Sequence, residues 1–150
     1  MQDHTETIEV LNDLIRVCND RISGYEKAIR DTQQEDTDLK ILYAAMVAES
    51  HRMKIELATE VQELGGKVEQ GTSPSGKMFR GWMEVKALFS GHDRQAILAN
   101  CEAGEESAQR AYETALGHVL PAYIHELLTH HQATLYTSYE DIRAARGLYA

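Results

Sequence analysis

Only two prolines, Pro74 and Pro121, interrupt the 150 residues of the chain, and they leave three long proline-free tracts. Because proline breaks a helix interior, such tracts are free to hold long helices. In the first tract, apolar residues recur at alternating spacings of three and four, which places them on one stripe of a helix. They are Ile8, Leu11, Ile15, Cys18, Ile22, Tyr25 and Ile29. The pattern predicts a first helix of about 26 residues, or roughly 39 Å.

A second stripe of the same kind follows the polar residues 31–34 and ends at Gly65 and Gly66. Glycine commonly terminates a helix, because it tolerates the backbone conformation of a C-terminal cap. The apolar positions of this stripe are Leu39, Leu42, Met46, Met53, Leu57, Val61 and Leu64. A connection this short between two long helices predicts that they are antiparallel neighbours.

Residues 67–77 are the one linker of the chain, because Gly, Ser and Pro are concentrated there. We expect this linker to serve as a crossover to the far side of a bundle. It leads into a short predicted helix over residues 78–89, whose apolar residues cover more than one face. That helix either wedges into the core or contacts a second copy of the chain. The candidate interface residues are Met78, Phe79, Trp82, Met83 and Phe89.

Two more long helices are predicted after residue 92. The first starts near Asp93 and ends at Gly117, and small residues on its inner stripe allow a neighbouring helix to approach closely. The second follows Pro121, which is tolerated in a first helical turn. Its stripe is Ile124, Leu128, His131, Leu135, Ser138 and Ile142. Four long helices in two hairpins, joined by one crossover, predict an all-α, ferritin-like four-helix bundle, with residues 1–150 as a single domain.

The bulk composition narrows the range of partners. A formal net charge of −9 argues against a nucleic-acid surface, since phosphate binding needs an excess of Lys and Arg. The same charge disfavours docking on an anionic membrane. The two cysteines, Cys18 and Cys101, lie far apart in helical contexts, which fits a reducing compartment better than a disulfide framework. A polar, acidic N-terminus without signal-peptide features makes the cytoplasm the expected location.

The stretch IHELLTHHQ, residues 124–132, resembles a zinc site. The zinc motif His-Glu-x-x-His works because residues i and i+4 lie on one helix face, so that both imidazoles reach one ion. Here the position four after His125 is Thr129, and His130 lies about 140° around the helix from His125. The two imidazoles cannot share an ion, and the zinc-protease hypothesis fails.

The di-iron site of ferritin-like bundles requires Glu-x-x-His on two helices and a Glu on each of the other two. The residue three positions before each of the seven histidines is neither Glu nor Asp, so a standard di-carboxylate site is not expected. A weaker constellation remains. Glu49 and His131 fall on inner stripes, and Glu102 and Glu105 flank the inward-facing Gly104. These three acids and one histidine could together hold one iron, manganese or zinc ion.

The alternative for the same residues is a buried polar network without metal. In that network Glu49 would pair with Arg21 or Arg52, and His131 would form a hydrogen bond to a neighbouring helix. Cys18 and Cys101 are expected to be buried as small apolar residues, because the spacing places no base beside either thiol.

Several segments carry a family resemblance: LNDLI at 11–15, LGG at 64–66, RGWMEVK at 80–86, AILANCEAGEESAQRAYETAL at 96–116 and LP at 120–121. On these segments the chain resembles a bacterial family of ferritin-like four-helix-bundle proteins catalogued as a domain of unknown function. The resemblance implies small cytoplasmic proteins without an established activity. It also implies family features at Asp20, Glu49, Glu56, Glu102, Glu105, Glu106 and Tyr112. Relatives have a His-Asp pair before Ile-Arg in the last helix, where this chain has Glu140-Asp141.

From these observations we expect a non-enzymatic homo-oligomer with a structural or stress-associated role, which is implied only by the resemblance. One alternative is a metal-binding protein that uses Glu49, Glu102, Glu105 and His131 for iron, manganese or zinc. Another is an adaptor that binds a protein partner through the short helix over residues 78–89.

Overall fold

The computed structural model describes residues 3–71 and 93–148, and these residues form four long α-helices. In chain order they are α1 Thr5–Asp31, α2 Thr37–Glu63, α3 Arg94–Leu116 and α4 Ala122–Leu148. Each coincides with a helix that the apolar spacing predicts, so the all-α expectation is confirmed. The short helix over residues 78–89 stays a prediction, because it lies outside the described residues. The same holds for its candidate interface residues Met78, Phe79, Trp82, Met83 and Phe89.

Helix α2 ends at the two glycines that the sequence indicates. The backbone N–H of Gly65 donates to the carbonyl of Gln62 at 3.0 Å, and that of Gly66 donates to Val61 at 2.9 Å. Gly65 has a φ of +82°, in the left-handed region that other residues rarely adopt. A Cβ on Gly66 would lie 2.8 Å from Cγ2 of Ile8. The glycine pair therefore lets the chain leave α2 and pass close to the start of α1.

Local hydrogen bonds mark the ends of the second hairpin. The carboxylate of Asp93 accepts a bond from the backbone N–H of Gln95 at 2.9 Å and so caps the start of α3. Gly117 closes α3 with a backbone bond to Thr114 at 3.1 Å. Pro121 directly precedes α4, at a position where the missing backbone N–H costs nothing. Each boundary therefore lies where the local sequence predicts it.

Helix α1 is the most deeply buried of the four and packs against both α2 and α3, while α3 packs against α4. Two contacts at opposite ends show that α1 and α3 run antiparallel. Nδ1 of His118, just after α3, lies 2.9 Å from Oε1 of Glu6 at the start of α1. At the other end, Arg94 binds Asp36, just before α2, at 3.1 Å. The α1–α2 hairpin and the α3–α4 hairpin therefore pack side by side, with α1 in contact with α3.

The apolar core is built from the predicted stripes. Leu11, Leu57, Cys101 and Leu128, one from each helix, have no exposed surface. Burial of a leucine side chain contributes about 1.5–3 kcal/mol to stability. The outward faces are largely polar, and within the described ranges no helix is both long and apolar enough to cross a membrane.

Candidate functional site

An arginine stands at the centre of the bundle core. Arg21 of α1 is only 1% exposed. It lies on the same helix face as Cys18 and Tyr25, three residues after the first and four before the second. Removal of one partner from a buried ion pair costs about 3–5 kcal/mol, because it leaves a charge uncompensated. The partners of Arg21 therefore decide whether α1 can pack in this position.

All five N–H donors of the Arg21 side chain reach acceptors. Nε lies 3.1 Å and Nη2 2.7 Å from Oε1 of Glu105 on α3. Nη2 also donates to Oε1 of Glu49 on α2, at 3.1 Å. Nη1 donates to Oγ of Ser50 at 3.0 Å and contacts Sδ of Met53 at 3.9 Å. The guanidinium group is fully saturated by side chains from two other helices.

Glu49 connects these contacts to the fourth helix. Oγ of Ser138 on α4 lies 2.8 and 3.0 Å from the two carboxylate oxygens of Glu49. One polar network therefore joins α1, α2, α3 and α4. We call it the core cluster, and its members are Arg21, Tyr25, Glu49, Ser50, Glu105 and Ser138.

Glu105 is fully buried, and its Oε1 accepts every hydrogen bond that the described part of the chain makes to this carboxylate. The hydroxyl of Tyr25 donates to the same Oε1 that Arg21 contacts. Burial raises the pKa of Tyr25, and the charge of Glu105 raises it further, so the hydroxyl keeps its proton and acts as a donor. Oε2 of Glu105 has no hydrogen-bond partner in the described part of the chain.

The charge of Arg21 is permanent. Burial by itself would lower the pKa of the guanidinium group, but the charges of Glu105 and Glu49 outweigh this effect and raise the pKa above its usual value. The core of the bundle thus contains a cation that the protein supplies from its own α1.

A second buried polar chain surrounds His131 of α4. Oη of Tyr112 lies 2.8 Å from Nδ1 of the imidazole, and Oε1 of Glu56 lies 2.7 Å from Nε2. Since a carboxylate only accepts, Nε2 carries the proton and Nδ1 accepts from the tyrosine hydroxyl. Tyr112 is also hydrogen-bonded to Cys18, and burial raises the pKa of that thiol to about 12. We call Cys18, Tyr112, His131 and Glu56 the histidine chain.

The histidine chain predicts a pH dependence of stability. Burial lowers the pKa of His131 below 6.5, although the hydrogen bond to Glu56 opposes the shift. The unfolded chain therefore takes up this proton at a higher pH than the folded chain. The contribution of His131 to the free energy of unfolding is complete above pH 6.5 and is lost as the pH falls below that value.

We expect His131→Gln to reduce the loss of unfolding free energy between neutral and moderately acidic pH, measured by urea titration at each pH. The exposed His125 offers a matched control, because His125→Gln removes a histidine without touching the core. Equal pH slopes for the wild type and the His131 variant would contradict the neutral, buried state of this imidazole.

The structure brings together two of the four candidate metal ligands. Glu49 and Glu105 share Arg21, with the ion pair to Glu49 that the metal-free alternative predicts. His131 bonds to neighbouring helices, as that alternative also predicts. Glu102 instead contacts Arg143, at 3.6 Å, and Arg146, both on α4. A role of the four residues in metal binding stays a prediction.

The chemistry of the donor set does not fit a metal ion. Arg21 already supplies a cation to both Glu49 and Glu105, and a metal ion would have to displace it. Both ring nitrogens of His131 are engaged, so no imidazole lone pair is free for coordination. Across residues 3–71 and 93–148, no group of three or more His, Cys, Asp or Glu is arranged to hold a metal. Oε2 of Glu105 has no hydrogen-bond partner in the described part of the chain, but a single carboxylate oxygen does not make a metal-binding site.

The sequence alone indicated Arg21 only as one possible partner of Glu49. It did not predict that Arg21 lies at the centre of the core cluster. The sequence does contain a sign that Arg21 is buried, because this arginine interrupts the apolar helix face between Cys18 and Tyr25. Ser50 and Ser138 carry a weaker signal of the same kind, as polar residues on inner helix faces. What the spacing could not show is which of several acids meets the arginine.

Comparison with models of known protein families assigns the chain to one of them. The family described as Domain of unknown function (DUF2383) matches residues 6–118. The chain belongs to this family. The match contains every member of the core cluster except Ser138, which lies beyond it on α4. A comparison with curated proteins gives no match.

Solved structures share the fold. A Mycobacterium smegmatis Dps1 mutant is similar over 97% of this chain and 99% of its own, with a TM-score of 0.78 and 16% sequence identity. A structure described as ferritin like, diiron-carboxylate proteins from Bacillus anthracis str. Ames gives a TM-score of 0.75 and 17% identity, again over 97% and 99% of the two chains. The ferritin-like four-helix bundle that the sequence predicts is confirmed.

Proposed function

We propose that this protein is a non-enzymatic, ferritin-like bundle protein with a structural role, in which Arg21 takes the place of a core metal ion. The observation that carries the proposal is the saturated guanidinium group between Glu49 and Glu105. A buried cation with five satisfied donors stabilises the carboxylates without exchangeable coordination sites. Such a core offers no open position for a substrate or for oxygen chemistry.

A role in setting helix register supports the same proposal. The core cluster takes side chains from all four helices, so a shift of one helix by a turn, about 5.4 Å, would break several of its bonds at once. Buried polar groups specify a unique arrangement in some helical proteins at a cost in stability. We infer that the core cluster holds the bundle in one register. The stress-associated role implied by the resemblance stays a prediction.

Metal binding is the alternative, and the Bacillus anthracis structure described as diiron-carboxylate favours it. Iron, manganese and zinc are therefore the metals to measure, in protein purified from a medium supplemented with all three. We expect each to be far below one atom per chain. The variant Glu49→Gln/His131→Ala removes two candidate ligands and is expected to give the same low values.

Two results would contradict the proposal. A stoichiometric metal that disappears in Glu49→Gln/His131→Ala would place the ion in the core. A stoichiometric metal retained in that variant would show a site elsewhere, and the protein would not be metal-free. The variant Glu126→Gln/His125→Ala is the matched control, because it removes the same two residue types at exposed positions of α4.

We also propose that the protein acts as a homo-oligomer. A structural role acts through contacts with other molecules, and the outward face of α2 exposes the large apolar side chains of Ile41 and Ile55. An adaptor role through residues 78–89 stays a prediction, since that segment lies outside the described residues.

A further inference from the structure

The histidine chain runs from the centre of the bundle to its surface. Tyr112 on α3 has no exposed surface and His131 on α4 is 1% exposed, whereas the side chain of Glu56 on α2 is 44% exposed. Oη of Tyr112 lies 2.8 Å from Nδ1 of His131, and Nε2 lies 2.7 Å from Oε1 of Glu56. A buried phenol is therefore connected to a solvent-exposed carboxylate through a single imidazole.

Both of these hydrogen bonds point outward. The hydroxyl of Tyr112 donates to Nδ1 of His131, and Nε2 donates its proton to Glu56, because a carboxylate only accepts. Transfer of a proton requires a donor and an acceptor within about 2.6–3.2 Å, and both distances lie in that range. The phenolic proton of Tyr112 thus faces a neutral base, and that base can pass a proton to the surface.

Oxidation of a tyrosine is the chemistry that uses such a route. A phenol that loses one electron becomes a strong acid, so its proton leaves together with the electron. A proton that stayed in the interior would leave a charge without water around it, which is costly. In the histidine chain the Oη proton of Tyr112 moves to Nδ1 of His131, while the Nε2 proton moves to Glu56 and from there to water. The phenoxyl radical and the imidazole are then both neutral.

Tyr25 offers a contrast in the same core. It is as fully buried as Tyr112, and its hydroxyl donates to Oε1 of Glu105, which also has no exposed surface. Glu105 compensates the charge of Arg21, so a proton transferred to this carboxylate would deprive the arginine of an opposing charge. Of these two buried tyrosines, Tyr112 is therefore the one that can lose an electron without a change of charge in the core.

The charges around His131 favour passage of the proton over its retention. Burial lowers the pKa of the imidazole, the hydrogen bond and the charge of Glu56 oppose this shift, and His130 and Arg52 add to it. Tyr112 is neutral, because burial raises its pKa. An imidazolium is thus disfavoured at this position, and the proton that arrives from Tyr112 is matched by one that leaves through Glu56.

The burial of Tyr112 also restricts the class of oxidant. A reagent that abstracts a hydrogen atom must touch the hydroxyl, and this side chain has no exposed surface. An acceptor that takes only an electron needs no such contact, since electrons transfer through the protein interior at a distance. An oxidised transition-metal complex at the surface is an acceptor of this kind.

We propose that Tyr112 is a redox-active tyrosine that gives one electron to an oxidised transition-metal complex at the protein surface, while His131 and Glu56 carry its proton to water. In this step the O–H bond of Tyr112 breaks, the electron reduces the metal centre, and the tyrosine is left as a neutral phenoxyl radical. The proposal goes beyond the structural role proposed above, because it assigns a one-electron activity to the histidine chain and leaves the core cluster unchanged.

Flash photolysis tests the proposal with a ruthenium tris-bipyridine complex, which light and persulfate convert to the ruthenium(III) oxidant. The starting protein, called the buried-tyrosine protein, lacks the four tyrosines that follow Pro121 and the single tryptophan. Its substitutions are Tyr123→Phe, Tyr136→Phe, Tyr139→Phe, Tyr149→Phe and Trp82→Phe. It retains Tyr25, Tyr43 and Tyr112, none of which has exposed surface. Optical absorption and electron paramagnetic resonance detect the phenoxyl radical.

We expect the buried-tyrosine protein to form the radical, and Tyr112→Phe in that protein to abolish it. Tyr25→Phe is the matched control, because it makes the same change at an equally buried position and should leave the radical in place. His131→Gln replaces the base by a neutral amide, so radical formation should slow by about 100-fold, the order that a positioned base contributes. His130→Gln, at the exposed neighbouring position, should leave the rate unchanged.

A second measurement needs no substitution in the core. Radical formation in the buried-tyrosine protein should be slower in deuterium oxide than in water, because the proton moves with the electron. Circular dichroism checks that the buried-tyrosine protein and each of its variants are folded.

The outcomes separate the electron donor from the proton route. The absence of a radical in the buried-tyrosine protein, or a radical that survives Tyr112→Phe, would overturn Tyr112 as the donor. A rate that does not change in His131→Gln, or that is the same in deuterium oxide and in water, would overturn the route through His131. None of these results bears on the structural role of the core cluster, which the metal analysis tests.

Discussion

Replacement of Arg21 by methionine is expected to lower the free energy of unfolding by about 3–5 kcal/mol. The reason is the loss of the only cation that the structure shows in contact with both Glu49 and Glu105, the second of which is fully buried. Methionine fills part of the space but leaves the carboxylates without compensation. Urea unfolding followed by circular dichroism measures the effect.

Removal of the opposing charges should restore much of this stability. We expect Arg21→Met/Glu49→Gln/Glu105→Gln to be substantially more stable than Arg21→Met alone, because no buried charge is left unpaired. Arg143→Met is the matched control. It removes an arginine that is 55% exposed and contacts Glu102 at 3.6 Å, so a change of about 0–1 kcal/mol is expected. An Arg21→Met variant as stable as Arg143→Met would refute the central role of this side chain.

Replacement of His131 by leucine is expected to lower the free energy of unfolding by about 1–3 kcal/mol, because it leaves a buried hydrogen-bond donor, the hydroxyl of Tyr112, without its partner. The hydroxyl of Tyr112 then loses the acceptor that lies 2.8 Å away, and only the sulfur of Cys18, a weak acceptor, is left beside it. Thermal and urea unfolding of the variant measure the cost.

A double-mutant cycle isolates the cause. In His131→Leu/Tyr112→Phe neither polar partner remains, so we expect the two single losses to exceed the double loss by about 0.5 kcal/mol or more. Additive losses would show that the hydrogen bond contributes nothing specific. His130→Leu, at an exposed neighbouring position, should change stability by about 0.5 kcal/mol or less.

The helices could be predicted from the sequence because their determinants are local. The alternating spacing of three and four from Ile8 to Ile29 defines a stripe whatever it packs against. Gly65, Gly117 and Pro121 act at or next to the residue where a helix ends or begins. Even the inward orientation of His131 follows from its position between Leu128 and Leu135, and its burial is observed.

The core cluster could be anticipated only in part. Spacing places Glu49 on an inner face of its helix and suggests that it could pair with Arg21 or Arg52. It cannot show that Glu105 rather than Glu102 meets the guanidinium group. Both acids lie on α3, three residues apart, and small differences in the rotation of that helix decide which turns inward. Glu102 instead faces Arg143 and Arg146 of α4.

The sequence by itself determined the four helices, their inner faces and their order, because hydrophobic periodicity and helix termination depend on neighbours along the chain. Only the tertiary structure decided which charges meet. Arg21 and Glu105 are 84 residues apart in sequence, yet they lie 2.7 Å apart in space. Their contact depends on the rotation and register of α1 against α3, which arise from packing of all four helices together. For that reason the carboxylates that suggested a metal ion from their spacing hold an arginine in the folded chain.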